Sequence, residues 1–187
     1  MPIAVGGGHD LSYPFIRAAV VHVRTRHPQA VFGGVYLDPH LDVRETVGSG
    51  MWVRRLIEDC RVGPVNCLGA SPFVNAREHV EWFGSHGGYV EGKPVVGNAA
   101  PAQPDATFVS LDLDVLDQSV APGVSAMNPS GLLPGQVSQM MVQSGASPGV
   151  VCCDIMELCP RHDEGGRTAR VAAHMLLAFL RGVAARG

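Results

Sequence analysis

An apolar run meets a pair of acidic residues in the stretch Val109-Ser-Leu-Asp-Leu-Asp-Val-Leu-Asp117. The run has the character of a buried strand, and Asp112 and Asp114 follow it at once. Residues two apart on a strand point to the same side, so the pattern predicts two carboxylates that converge at one strand end. Burying two like charges is costly, and a bound cation commonly offsets that cost. Taken alone, the stretch is equally compatible with a solvated corner between a strand and a loop.

Two further apolar runs end in residue types that ligate metals. The run that ends at Leu37 passes into Asp38-Pro-His40-Leu-Asp42, and the short run Ile3-Ala-Val5 passes into Gly6-Gly-Gly-His9. In the first of them the polar residues occupy every second position, so an extended backbone would direct all three side chains into one space. Three strand-like runs with such endings favour a shared site.

Composition excludes several classes of protein. The chain has 187 residues and 46% hydrophobic content, which predicts one domain over residues 1–187. The net charge of -3 shows no excess of basic residues, so a nucleic-acid-binding protein is not expected. A membrane helix needs about 18 apolar residues in succession, and the sequence has no such run, so no membrane partner is expected. No signal peptide is recognised at the N-terminus either.

The five cysteines argue for a reducing compartment. Their odd number and the absence of paired CxxC spacing count against a disulfide framework and a zinc ribbon. We therefore expect a cytoplasmic protein. Cys159 as a nucleophile is an alternative, although no neighbouring pattern activates it.

Apolar periodicity predicts alternating strands and helices, hence crossover connections and a mainly parallel sheet in an α/β fold. The predicted helices cover about 14–27, 51–60, 76–85, 134–144 and 168–184, and the predicted strands cover 3–5, 30–37, 65–68, 107–111 and 150–155. From Gly87 to Asp105, glycine and proline leave little room for a regular element.

Sites in parallel α/β sheets form outside the carboxyl ends of the strands, where the candidate ligands lie. These are His9, Asp38, His40, Asp42, Asp112 and Asp114. Two imidazoles and four carboxylates exceed the needs of one ion, so we expect two ions that share carboxylates. The oxygen-rich set favours manganese over zinc and leaves iron and cobalt open. Two ions about 3.5–4 Å apart can activate a shared water, which predicts a hydrolase.

Four motifs in this order resemble those of the ureohydrolases, the binuclear manganese enzymes that include arginase, agmatinase and formimidoylglutamase. They are Gly-Gly-Gly-His9-Asp, Asp38-Pro-His40-Leu-Asp42, Ser110-Leu-Asp112-Leu-Asp114 with the following Ala121-Pro-Gly123, and Glu157-Leu-Cys-Pro160. The resemblance is greatest to formimidoylglutamase, through Asp42-Val-Arg44, Ser71-Pro-Phe-Val-Asn75 and Val120 to Ala126. It implies a three-layer α-β-α sandwich and hydrolysis of N-formimidoyl-L-glutamate to L-glutamate and formamide.

The resemblance also implies a role for each candidate residue. One Mn²⁺ would be held by His9, Asp38, Asp42 and Asp112. The other would be held by His40 and Asp114, with Asp38 and Asp112 bridging the two ions. Glu157 would face the amidine or guanidine group of the small-molecule substrate, and Asp42 would act with it in the catalytic step. Arg44 is the candidate for the substrate carboxylate, with a purely structural role as the alternative.

The sequence departs from the family pattern in three places. Pro39 replaces the usual alanine, which strand-like geometry tolerates. The loop Thr46-Val-Gly-Ser-Gly50 lacks the histidine that arginases and agmatinases place there, which counts against those two activities. The chain would begin at the family's third strand, so the N-terminal portion and edge strands are expected to be missing. Two alternative functions stay open: another ureohydrolase activity, and an inactive remnant that needs a partner. Assembly into a homo-oligomer also stays open.

Overall fold

The computed structural model describes residues 1–91, 93–94 and 103–187, and this part of the chain contains one sheet of seven strands flanked by helices. The strands are β1 (Ile3–Val5), β2 (Phe32–Leu37), β3 (Val65–Leu68), β4 (Gly88–Val90), β5 (Lys93–Pro94), β6 (Ala106–Asp112) and β7 (Val150–Met156). The α-helices are α1 (Ser12–Arg26), α2 (Trp52–Cys60), α3 (Arg77–Ser85), α4 (Pro134–Ala146) and α5 (Arg167–Ala184).

The sheet confirms the predicted parallel α/β architecture. Its strand order is β1-β7-β6-β2-β3-β4-β5, and every neighbouring pair is parallel except β4 and β5. The strands β1, β7, β6 and β2 are therefore adjacent, and their carboxyl ends meet at one edge. Each of these four strands is followed directly by candidate site residues, so the topology itself gathers them.

Helices cover both faces of the sheet and produce two apolar cores. On one face, Ile16 of α1, Trp52 of α2 and Phe83 of α3 pack into a core with no solvent exposure. On the other face, Met141 of α4 and Phe179 of α5 are equally buried. These two layers with the sheet between them form the three-layer sandwich that the family resemblance implies.

The expectation that residues 87–105 hold no regular element is wrong for their first part. Gly87 has φ +78 and turns the chain out of α3, after which β4 pairs with β3 and β5 returns antiparallel to β4. A strand of three residues is too short for apolar alternation to reveal it. The remainder of the segment, residues 92 and 95–102, lies outside the described residues.

Among the described residues, no helix combines the length and the apolar character that are required to cross a bilayer. The assignment of residues 1–187 to a single domain without the family's N-terminal portion stays a prediction.

Candidate metal centre

Two carboxylates converge where β6 ends. Asp112 is the last residue of β6, and Asp114 lies in the short 3-10 turn that follows it. The backbone N–H of Asp114 donates to Asp112 Oδ1 at 2.8 Å, and both side chains are almost fully buried. The carboxylates thus meet through a turn and not through strand alternation, because the Asp112 side chain captures the backbone N–H that would otherwise extend the strand.

The loop after β2 also departs from the predicted extended conformation. The backbone N–H of His40 donates to Asp38 Oδ1 at 2.6 Å, which bends the chain directly after the strand. Asp42 then adopts a left-handed conformation with φ +52. The three side chains still approach one another, since a local hydrogen bond and one unusual backbone angle replace the alternation of a strand.

His9 lies at the centre of the carboxylate cluster. It begins a 3-10 turn after three glycines, of which Gly7 has φ +81, a left-handed conformation that L side chains rarely adopt. The His9 side chain has no exposed surface, and its Nδ1 lies 2.9 Å from Asp112 Oδ2. The same nitrogen lies 3.1 Å from Asp38 Oδ2 and 3.3 Å from Asp42 Oδ2. One imidazole nitrogen therefore faces three carboxylates.

The side chains form two overlapping groups with the spacing of metal ligands. One group contains His9, Asp38 and Asp112, and the other contains Asp38, His40 and Asp114; within each group the ligand atoms lie within 4.8 Å of one another. Asp38 belongs to both groups, as expected of a bridging carboxylate, and Asp42 lies beside the first through its contact with His9. All six predicted ligands are thus brought together, while their ligation of metal and the bridging role of Asp112 stay predictions.

The cluster has the properties of a cation site. Among the described residues, His9 Nδ1, Asp38 Oδ2 and Asp114 Oδ1 are buried polar atoms without a hydrogen-bond partner. Burial and the neighbouring carboxylates raise the pKa of Asp38 to about 7, and burial with Asp112 raises the pKa of Asp114 to about 12. Burying several carboxylates close together costs free energy, and a bound cation that offsets their repulsion would explain why they are there. Oxygen and imidazole donors fit manganese.

A small cavity opens onto this cluster, with a volume of about 110 Å³. Five of the six candidate ligands line it, together with Arg44, Ser49, Gly50, Ser125, Ala126 and Glu157. Cys159, the alternative nucleophile, is not among these lining residues. The cavity therefore brings together Glu157, which is predicted to bind the amidine group, Arg44, which is predicted to bind the substrate carboxylate, and the candidate metal ligands.

Glu157 is held in place by hydrogen bonds from His9 and Ser125. It follows β7 with φ +69, and its Oε1 accepts a hydrogen bond from the backbone N–H of His9 at 2.6 Å. Ser125 Oγ donates to its Oε2 at 3.3 Å, and partial burial raises the pKa of the Glu157 carboxyl. One carboxylate is thereby fixed at the cavity wall next to the predicted metal site.

Comparison with known proteins identifies the family. The model of the arginase family matches residues 1–181, which is nearly the whole chain. The chain belongs to the arginase family. Its curated relatives include the formimidoylglutamase of Ralstonia nicotianae, with 36% identity over 205 residues that cover 100% of this chain and 63% of the relative. The formimidoylglutamase of Bacillus subtilis is 30% identical, with 98% of this chain and 61% of the relative covered.

Solved structures of the arginase family support the same conclusion. The formimidoylglutamase of Bacillus subtilis matches with a TM-score of 0.84 and 27% identity, covering 98% of this chain and 61% of that chain. A formiminoglutamase from Trypanosoma cruzi, solved with Mn2+2, matches with a TM-score of 0.83 and 28% identity. The match covers 100% of this chain and 66% of that chain. The chain thus spans between three fifths and two thirds of the length of these relatives.

Sequence reasoning missed Trp52 as a residue of this arginase-family site. Its Nε1–H donates to Asp42 Oδ2 at 2.6 Å, and its ring centroid lies 4.6 Å from that of His9. The side chain is fully buried at the start of α2. In sequence it reads as an ordinary core aromatic, and only its buried N–H, which requires an acceptor, could have indicated the second role.

Asn75 lies in one of the stretches that resemble formimidoylglutamase, and its sequence position alone indicated no role for it. Its Oδ1 accepts from the backbone N–H of Leu41, and its Nδ2 donates to the carbonyl oxygens of Pro39 and Ser71, each at 2.8 Å. This amide therefore fastens the loop after β2 to the loop after β3. It also shows how Pro39 is accommodated, because the clamp uses the proline carbonyl and needs no N–H from it.

Metal binding by this site is expected to release protons and to strengthen as the pH rises. The raised pKa values of Asp38, about 7, and Asp114, about 12, mean that protons occupy the cluster near neutral pH, and a metal ligand must lose them. Because both pKa values lie above the ordinary value, protonation stabilises the metal-free fold at low pH, and this stabilisation is lost as the pH rises through about 7 for Asp38.

Calorimetric titration of manganese in two buffers with different ionisation enthalpies measures the release. We expect about one proton or more per chain, and an affinity that increases between pH 5 and 8. Binding without proton release, at an affinity that is independent of pH, would contradict the protonated state of the cluster.

Proposed function

We propose that this chain carries the catalytic centre of a binuclear manganese hydrolase that cleaves a C–N bond of linear amidines. N-formimidoyl-L-glutamate is the proposed substrate, with L-glutamate and formamide as products. The observation that carries the proposal is the convergence of six candidate ligands and Glu157 around one cavity. The substrate assignment is supported by relatives named formimidoylglutamase and by the absence of a histidine in the loop Thr46-Val-Gly-Ser-Gly50.

The family resemblance implies how the residues divide between two ions, and the two ligand groups support this division for all of them except Asp42 and the bridging role of Asp112. His9, Asp38, Asp42 and Asp112 would hold one Mn²⁺, and Asp38, His40, Asp112 and Asp114 would hold the other. The chemistry that bound manganese supplies here is the activation of a water for attack on the amidine carbon. Asp42 keeps 8% of its surface exposed toward the cavity, where its carboxylate can take the proton that the attacking water loses and then donate it to the leaving amine.

Glu157 provides the contact that selects an amidine. A protonated amidine is planar and cationic, and a carboxylate can accept two parallel charge-assisted hydrogen bonds from it. The backbone N–H of His9 and the Ser125 hydroxyl keep the Glu157 carboxylate in a fixed orientation before the substrate arrives. The amidine carbon is thereby oriented toward the ligand cluster, which is the geometric requirement for attack.

Arg44 is the proposed partner of a substrate carboxylate. It lines both the cavity over the metal ligands and a neighbouring cavity of about 510 Å³. In the described part of the chain its guanidinium forms no ion pair, whereas Arg54, which lines the same neighbouring cavity, is paired with Glu45 and Glu58. An unpaired guanidinium between the two cavities is available for an anionic group of the substrate.

Replacing Arg44 with methionine is expected to raise KM for N-formimidoyl-L-glutamate about 10- to 100-fold, with little change in kcat, as loss of one charge-assisted contact predicts. Hydrolysis of formamidine, which carries no carboxylate, should be unchanged. The matched control is Arg55→Met, because Arg55 lies on α2 and is paired with Asp59. Equal losses with both amidines would instead assign Arg44 a structural role.

The proposed activity is tested on protein reconstituted with manganese. Release of formamide and glutamate from N-formimidoyl-L-glutamate is measured beside urea release from arginine and agmatine. Turnover of the formimidoyl substrate alone supports the proposal, and turnover of a guanidine substrate alone would reassign the activity within the family. Two bound Mn²⁺ without turnover of any of the three would show that the chain holds the metals without being an active hydrolase by itself.

A further inference from the structure

A chain of two hydrogen bonds extends from His9 away from the carboxylate cluster. His9 Nε2 lies 2.8 Å from Ser110 Oγ, and Ser110 Oγ lies 2.5 Å from Asp154 Oδ1. All three side chains have no exposed surface. Asp154 is therefore a buried carboxylate that the Ser110 hydroxyl connects to the candidate metal centre.

The sheet itself builds this arrangement. Ser110 on β6 and Asp154 on β7 are directly opposite each other in the register of the parallel pair, so their side chains lie on the same face. That face is the one against which His9 packs. A buried carboxylate costs free energy, and a role in packing would be served better by an apolar residue of similar size.

The three groups fix the position of each proton between them. In its ionised form the Asp154 carboxylate can only accept a hydrogen bond, and the Ser110 hydroxyl is the donor to its Oδ1. The single Ser110 proton is donated to Asp154, and the Ser110 oxygen must then accept from His9 Nε2–H. When the His9 imidazole is neutral, as a metal ligand must be, its proton therefore lies on Nε2 and the lone pair of Nδ1 is directed toward the three carboxylates.

We propose that Asp154, acting through Ser110, is a positioning residue that fixes the His9 tautomer and aims Nδ1 at the manganese ion shared with Asp38, Asp42 and Asp112. This inference rests on the proposed function, because it presumes that His9 binds a metal. It assigns Asp154 no contact with the substrate or with the ion.

The variant that tests this proposal is Asp154→Asn, which keeps the shape and reverses the hydrogen bonds. The asparagine amide donates to Ser110, the hydroxyl proton turns toward His9 Nε2, and the imidazole proton moves to Nδ1, where a metal would bind. The affinity for the Mn²⁺ that His9 binds should fall about 10- to 100-fold, as is usual when the hydrogen-bond partner of a histidine ligand is removed. The affinity of the ion at His40 and Asp114 should change less than about threefold.

Stepwise manganese affinities, measured by competition with a fluorescent chelator, provide the readout without any substrate. Ser110→Ala should weaken the same ion, and the double variant should bind no more weakly than Ser110→Ala alone, because Asp154 acts only through that hydroxyl. Independent structural effects would add instead. Asp105→Asn is the matched control, since Asp105 precedes β6 at the opposite end of the sheet and accepts from Val31 N–H; its affinities should equal those of the unmodified chain.

Unchanged affinity in folded Ser110→Ala, which removes the connecting hydroxyl whichever way the asparagine amide of Asp154→Asn is turned, or additive losses in the double variant, would overturn the proposal. If Asp154→Asn does not fold, unchanged affinity in Ser110→Ala overturns it equally. An unmodified chain that binds two Mn²⁺ but hydrolyses no amidine would refute the proposed function and leave the role of Asp154 supported or overturned by the affinities alone. An unmodified chain that binds no manganese would refute both.

Discussion

Replacing Asp112 with alanine is expected to remove both manganese ions and all amidine hydrolysis. Asp112 Oδ2 lies 2.9 Å from His9 Nδ1, and Oδ1 fixes the turn that carries Asp114, so the substitution affects both ligand groups. A ligand at about 100 times its Kd raises the free energy of unfolding by about 2.7 kcal/mol, and this increment should disappear. Metal analysis after reconstitution and thermal melting with and without manganese measure the two effects.

The metal-free protein should respond in the opposite direction. Asp112 raises the pKa of both Asp38 and Asp114 through like-charge repulsion, so its removal relieves the cluster when no cation is present. The melting temperature of metal-free Asp112→Ala should equal or exceed that of the metal-free unmodified chain, because we expect relief of this repulsion to outweigh the lost hydrogen bond from the Asp114 N–H, which contributes about 1 kcal/mol. Asp105→Ala, at the other end of β6, is the control and should retain both ions. Two ions and normal turnover in Asp112→Ala would exclude this cluster as the metal centre.

Replacing Glu157 with glutamine is expected to lower kcat/KM for N-formimidoyl-L-glutamate roughly 10- to 150-fold while both ions stay bound, as the loss of hydrogen bonds to a charged partner predicts. The glutamine side chain keeps an oxygen for the backbone N–H of His9, so the local fold is preserved. It cannot accept two hydrogen bonds from an amidine. Steady-state kinetics beside manganese stoichiometry separates the two properties.

The chain offers a matched control for this substitution in Glu91. This residue also has a positive φ, +50, and its Oε1 also accepts a backbone N–H, that of Gly69, at 2.6 Å. It lies in the turn after β4 and does not line the cavity over the ligands. Glu91→Gln therefore repeats the chemical change and its structural cost without the proposed substrate contact. Equal losses in the two variants would deny Glu157 a specific role.

The sequence predicted the sheet and the gathering of ligands because both depend on local patterns. Apolar runs that end in Asp38, Asp112 and His9 mark strand ends, and parallel pairing brings such ends to one edge. The detailed route was not predictable. Asp42 reaches the cluster through a positive φ, and Asp114 through a turn closed by Asp112, and neither follows from the alternation of residues. Both conformations depend on hydrogen bonds that form only in the folded chain.

The supporting residues escaped prediction for a different reason. Trp52, Asn75 and Asp154 act on the site across the fold, and their hydrogen bonds to Asp42, Leu41 and Ser110 span 10, 34 and 44 residues in sequence. No local signal distinguishes a core tryptophan from one that binds a carboxylate. The pairing of Ser110 with Asp154 follows from the register of two strands that are joined by a long crossover. The short strand β4 was missed because three residues carry no periodicity.

The order of the strands has a consequence for how the protein acquires its metal. The candidate ligands and Glu157 follow four neighbouring strands, β1, β7, β6 and β2, and the hydrogen bond between His9 and Glu157 joins residues 148 positions apart. Contacts between such distant segments require large loops to close, and the entropy cost of that closure slows their formation. The newly synthesised, unfolded chain would have no assembled set of ligands to bind an ion. Metal would therefore bind after the polypeptide has folded, and a filled site would require that the segments around His9 and Glu157 have already come together.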